Sequence, residues 1–197
     1  MTNPLPSDPY LALSAALQRW AELPQPQWLV VREGFRRRKA VARELVVFPG
    51  SQSHDLLFVS RGLLRFFYLD EGGRETNKAF VAENEFAAPL ASAVLQQPVY
   101  YGVEALEETE YLSMPLGEFR ALYHRHPVFE RLGRCLAEML LVRKERRMRS
   151  MLEQTATERY RTFLAENPLL AERIPQYHLA SYLGITEVSL SRLKKAL

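Results

Sequence analysis

The chain has 197 residues, of which 47% are hydrophobic, 11% aromatic and 25% charged, the composition of an ordinary globular protein with enough apolar side chains to fill a core. No stretch approaches the ~20 consecutive apolar residues of a membrane span, and the polar, proline-rich segment Thr2–Pro9 lacks the basic flank and apolar run of a secretory leader. Cys135 is the only cysteine, which excludes an intrachain disulfide, a multi-cysteine zinc site and an iron–sulfur cluster held within one chain, and points to the cytoplasm.

The net charge of +3 hides an asymmetry. Residues 1–117 carry 11 basic and 14 acidic side chains, whereas residues 118–197 carry 15 and 9. Only the C-terminal part is therefore expected to meet a polyanion. Its densest basic cluster, Arg143, Lys144, Arg146, Arg147 and Arg149, taken alone reads as a solvated helix face.

In chain order, Tyr10, Leu11, Leu13, Leu17, Trp20 and Leu23 recur at helical spacing, and Pro24 and Pro26 close that segment. Short β-rich runs follow at Leu29–Val31, Leu45–Phe48, Leu56–Val59, Leu63–Tyr68, Lys78–Val81, Val99–Val103 and Glu110–Met114, punctuated by turns such as Pro49-Gly50 and Asp70–Gly73. This spacing predicts a β jelly-roll barrel, interrupted by a short helix within Asn84–Gln97. From Leu116 the period is helical. A short turn of helix covers Glu118–Tyr123, a long helix runs from Val128 to about Leu152, and another covers Thr157–Ala165 up to Asn167-Pro168. The fold class is α+β, in three parts: a barrel with an N-terminal helix (1–117), a linker and long helix (118–154), and a C-terminal unit (155–197).

That last unit meets the steric demands of a helix-turn-helix. Leu179 and Leu183 supply the inner face of a first helix, and Ala180 is the small residue at the crossing. Gly184 accepts the positive φ of the turn, Ile185 plugs it, and Thr186 caps a second helix with inner residues Leu190 and Leu193. The second helix is expected to enter the major groove of double-stranded DNA. Glu187, Val188, Ser191 and Arg192 are its early outward side chains, and Arg192 suits a bidentate contact to guanine. Glu187 can accept from cytosine or simply favour the helix N-terminus. Lys194 and Lys195, with Gln176, Tyr177 or His178, are expected on phosphates, which position the protein without reading sequence.

A barrel, a long helix and a helix-turn-helix in this order resemble the superfamily of the cyclic-AMP receptor protein and the fumarate–nitrate reduction regulator (Crp/Fnr). Phe58–Arg65 followed by Gly73-Arg74-Glu75 is similar to its barrel motif, and Glu83–Phe86, ending near Val99–Tyr101, to its phosphate-binding cassette. Gly184, Ile185, Leu190, Ser191, Arg192 and Leu193 match its recognition segment. The resemblance implies a homodimeric transcriptional regulator on an inverted-repeat operator, with RNA polymerase as a further partner. It also implies an effector pocket around Phe80, Glu85, Phe86, Val99, Tyr100 and Tyr101. The long helix resembles the dimerisation helix, with Phe129, Leu132, Leu136, Met139 and Arg143 at 4–3 spacing.

The pattern is also broken. Asn84 stands where cyclic-nucleotide-binding members have a glycine, and Val99 or a neighbour stands where they have the phosphate-binding arginine. The 41 residues between Lys78 and Arg120 contain no Lys, Arg or His and seven Glu, a poor environment for a buried phosphate. Cyclic AMP is therefore not expected to bind. The inward aromatic rings either fill the nucleotide space as core, the favoured reading, or line a pocket for a neutral or cationic apolar ligand. No cofactor, metal or catalytic residue is expected, and His54, the only barrel histidine, reads as an ordinary surface or core residue. With Leu197 inside the second helix or one turn past it, no wing is expected after that helix. Two other functions compete. A cupin-type metalloenzyme would need converging histidines, but His124 and His126 fall after the barrel. A partner-binding module would keep the helix-turn-helix without its affinity for DNA.

Overall fold

In the computed structural model, which describes residues 8–196, two helices precede the first strand: α1 (Pro9–Gln18) and α2 (Gln25–Gly34). The polar segment Thr2–Pro9 lies outside the described residues as far as Ser7, and so does Leu197. Asp8 caps α1 by accepting the Tyr10 N–H at 3.0 Å. Leu29–Val31, expected as a strand, lies within α2. Pro24 and Pro26 sit at the N-cap and in the first turn of α2, where a missing N–H costs nothing, so they open a helix as well as ending the previous segment. Of the three apolar residues only Val31 is fully buried, a one-per-turn pattern.

Eight strands follow: β1 (Arg36–Ala40), β2 (Leu45–Val47), β3 (Asp55–Arg61), β4 (Leu64–Leu69), β5 (Glu75–Val81), β6 (Glu85–Ala87), β7 (Gly102–Ala105) and β8 (Thr109–Pro115), with α3 (Leu90–Leu95) between β6 and β7. They form two antiparallel four-stranded sheets, β1-β8-β3-β6 and β2-β7-β4-β5, the jelly roll expected from the sequence. The β4 start is fixed by Gly62, at φ +99°, where an added Cβ would lie 2.7 Å from the Thr109 backbone. Three boundaries differ from the sequence reading. The helix expected over Asn84–Gln97 shrinks to α3, because Asn84 turns at φ 64° and Glu85–Ala87 pair with β3 instead. Val99, Tyr100 and Tyr101 precede β7, since the Val99 backbone bonds Gly50 and Ser51 in the turn after β2. The strand β1, with four successive cations, was unexpected. It is an edge strand, where charged side chains are tolerated, and Arg37 and Lys39 hold Glu110 at 2.7 and 2.9 Å.

Three cores result. Between the sheets lie Ala40, Leu57, Val59, Leu64, Phe66 and Val103. The outer face of the first sheet (Leu56, Phe58, Phe86, Leu112 and Met114) packs on α1, α4 (Leu116–Ala121) and the long helix α5 (Pro127–Glu153), with a 3-10 turn at Leu122–His124 leading into α5. His126 caps α5 by accepting the Val128 N–H at 3.2 Å. Phe129, Leu132 and Leu136 are buried in this second core, and Met139 packs against it. The seam expected to face a partner thus faces the chain's own barrel, and Arg143 pairs with Glu85. The periodicity identified a buried face of α5; what covers it is intrachain. The large apolar residues that α5 leaves open are Leu141 (57% exposed), Val142, Met148, Met151 and Leu152 (78%).

The third core joins the barrel to the C-terminal helices α6 (Ala156–Glu166), α7 (Leu170–Arg173), α8 (Gln176–Leu183) and α9 (Glu187–Ala196). Leu63 and Ala82 of the barrel pack with Tyr160, Phe163, Leu179, Leu183 and Leu190. Thr155 and Glu158 form a reciprocal capping box at the start of α6.

Candidate nucleic-acid interface

The α8–α9 pair has the geometry that the sequence demanded. Leu179, Ala180, Leu183 and Leu190 are buried, and Ile185 and Leu193 pack against them. Gly184 ends α8 in the left-handed region at φ +69°, and the Thr186 hydroxyl accepts the Ser189 N–H at 3.2 Å, capping α9. Two arginines from other helices complete the end of α8. Arg147 donates to the Tyr182 carbonyl and lies 3.9 Å above its ring, and Arg159 donates to the Leu183 carbonyl at 2.9 Å. These cations sit at the negative end of the α8 dipole and hold α8 against α5 and α6.

Glu187, Val188, Ser191, Arg192, Lys194 and Lys195 are all solvent-exposed on α9, as are Thr186 at its cap and Gln176 and Tyr177 at the start of α8. Val188 is 61% exposed. These nine residues are thus each open to solvent. His178 does not. It is only 5% exposed, and burial together with the Arg65 charge pushes its pKa down to about 4. The exposed-phosphate-contact reading of His178 is therefore corrected: its neutral ring is a partner of Asn77.

Asn77 of β5 was not foreseen. Its Nδ2 lies 3.1 Å from His178 Nδ1 and donates to the His178 carbonyl at 2.9 Å, while its backbone N–H donates to Ser181 Oγ at 3.0 Å. Its Oδ1 accepts from Arg65 at 3.2 Å. Arg65, itself buried, is held by Glu75 and Glu104 at 2.7 and 2.6 Å. A second clamp is Arg173, which bonds Glu83 at 2.8 Å and Glu107 at 2.5 Å. Burial alone would raise the Glu83 carboxyl, but Arg173 and the N–H groups of Glu83 and Gly62 hold it below the usual range. No local pattern flags Asn77 or Arg173, because the partners that join barrel and C-terminal helices lie 66 to 104 positions away.

The expected effector residues do not converge. Phe80 packs outward on Phe163 and Tyr182. Phe86 lies under Trp20 and Phe58 in the helix-covered core. Glu85 accepts the Ala82 N–H at 2.9 Å and pairs with Arg143. Tyr100 is exposed and stacked on Tyr68. Only Val99 and Tyr101 reach the space between the sheets, where the cavity they line with Leu57, Phe66 and Ala87 is about 10 Å³, room for one water molecule. Lys78, absent from that expectation, places its ammonium 3.9 Å from the Tyr101 ring, and burial and Lys144 hold its pKa near 8. Among the described residues, no three His, Cys, Asp or Glu side chains stand together as a metal site.

Residues 37–126 match the cyclic nucleotide-binding domain family. No curated protein sequence matches the chain. Among solved structures, FixK2 of Bradyrhizobium japonicum is 18% identical with a TM-score of 0.71, over 83% of this chain and 84% of that one. A putative Crp/Fnr-family transcriptional regulator of Eubacterium rectale is 16% identical with a TM-score of 0.70, over 92% and 87%. The Thermus thermophilus catabolite activator protein is 24% identical with a TM-score of 0.53, over 92% and 86%. Residues 37–126 are therefore similar to the cyclic nucleotide-binding domain family, and the chain shares the fold of these solved structures.

Proposed function

We propose that the chain is a sequence-specific DNA-binding transcriptional regulator that acts as a homodimer on an inverted-repeat operator. Its barrel (1–117), connecting helix (118–154) and reader (155–197) then have separate tasks. The observation that carries this reading is α9: capped by Thr186, anchored by Leu190, and presenting Glu187, Val188, Ser191 and Arg192 to solvent beside Lys194 and Lys195. A helix so presented suits a major groove, with Arg192 on a base edge and the lysines on phosphates.

Two-fold binding needs a seam, and the open apolar residues of α5, with Leu141, Met148 and Leu152 along one stripe and Val142 and Met151 flanking it, supply the surface that supports one. The barrel is proposed not to take cyclic AMP. Its between-sheet cavity beside Val99 and Tyr101 is about 10 Å³, and Arg143, a cation beside the cassette, is engaged by Glu85. Cyclic AMP should give no saturable heat in titration calorimetry.

Selection from a randomised duplex pool, followed by anisotropy titrations, tests the reader. Arg192→Ala should relax preference at one base pair per half-site by about 1–3 kcal/mol. Lys194→Ala should weaken all sequences alike and lower the salt slope by about one. Wild-type affinity and selectivity in both variants would overturn the assignment.

A further inference from the structure

The space between the sheets is filled beside Tyr101 but not at the edge bordered by β1 and β2. There a cavity of about 200 Å³ opens to solvent, lined by Arg38, Asp55, Tyr111 and Ser113 with the apolar walls Val46 and Leu57. Strand alternation explains the polar side. Ala40 of β1 belongs to the between-sheet core, so Arg38, two residues earlier, points to the same side. Arg37 and Lys39 point to the other side, where Glu110 holds both. Arg38 has no carboxylate within ion-pair distance among the described residues.

Tyr111 stands opposite Arg38 in the β1–β8 ladder, and Ser113 follows two residues later on the same face. Neither hydroxyl has a hydrogen-bond partner among the described residues, although Ser113 is only 4% exposed. Arg38 itself is solvent-exposed at the mouth of the cavity. Here a guanidinium and two hydroxyl donors converge on one concave space with an apolar wall, the composition of a small-ligand site. A planar guanidinium fork matches a carboxylate in particular. Asp55 at the rim opposes a second negative charge.

We propose that this cavity binds a small monocarboxylate with a short apolar body, its carboxylate on Arg38, Tyr111 and Ser113 and its body on Val46 and Leu57. The site is separate from α9, so it stands or falls independently of DNA binding.

Titration calorimetry on the full chain with hexanoate, benzoate and inorganic phosphate tests it. Saturable binding of at least one carboxylate is expected, with phosphate much weaker. Arg38→Gln should weaken that binding about tenfold and Tyr111→Phe several-fold, the latter a conservative change that keeps the ring. Arg37→Gln, on the opposite face of the same strand, should leave it unchanged. Absence of saturable binding by both carboxylates overturns the proposal. Phosphate binding as tightly as either, or an equal loss in Arg37→Gln, does the same.

Discussion

Acid should loosen the union of α8 with the barrel through a single imidazole. His178 is neutral in the folded chain because burial and the Arg65 charge hold its pKa near 4, against 6.5 for an exposed histidine. The unfolded chain therefore takes up this proton near pH 6.5 and the folded chain only near pH 4. The stability this residue permits is complete above the first value and declines as pH falls towards the second. The whole span corresponds to about 3 kcal/mol. At pH 5.5, one unit below the unfolded value, about 1 kcal/mol is already gone. Urea unfolding at pH 7.5 and 5.5, on wild type and His178→Gln, isolates it. The glutamine oxygen can still accept from Asn77, and the carboxylates common to both proteins cancel in the comparison. Wild type should lose about 1 kcal/mol more than the variant, a midpoint difference of roughly 0.3–1 M for urea slopes of 1–3 kcal/mol/M. Equal pH dependence in the two proteins would refute the buried, neutral state of His178.

The two faces of α5 should respond differently to substitution. Leu136→Ala should cost about 2–5 kcal/mol of stability without altering the sedimentation state, because Leu136 lies in the chain's own core. Leu141→Glu should shift sedimentation towards monomer with little change in the monomer's own stability, and a variant that remains dimeric would place the seam elsewhere. Gly184→Ala should cost about 1 kcal/mol, since its φ of +69° suits few side chains and a new Cβ would sit 2.9 Å from Met151. Thermal unfolding reads that as a fall of about 2–4 °C, and an unchanged midpoint would mean that the turn relaxes.

Legibility in the sequence tracked the range of the interactions involved. The helix-turn-helix was readable because its constraints are local: a small residue, a glycine and a cap at fixed offsets within Leu179–Leu193. The strands with alternating apolar residues were readable for the same reason. β1 was not, because Arg36–Lys39 resemble a solvated loop until Glu110 of β8 is placed beside them. The 4–3 spacing of Phe129, Leu132 and Leu136 correctly grouped side chains on one face, but spacing is blind to whether a barrel or a second chain covers that face. His178 looked like a surface residue because Asn77, about a hundred residues away, supplies its burial. The cassette aromatics clustered in sequence yet diverged in space, Phe86 and Phe80 lying in different cores from Tyr101.

The barrel's Leu63 and Ala82 form part of the floor on which Leu179 and Leu183 rest, and Asn77 bonds both the backbone and the ring of His178. A helix pair anchored in this manner has no private hinge. Tilting α8 by even a few ångströms breaks the Asn77 bonds together and wets apolar surface on both sides at once. The orientation of α8 is therefore tied to that of β5, the strand that carries Asn77.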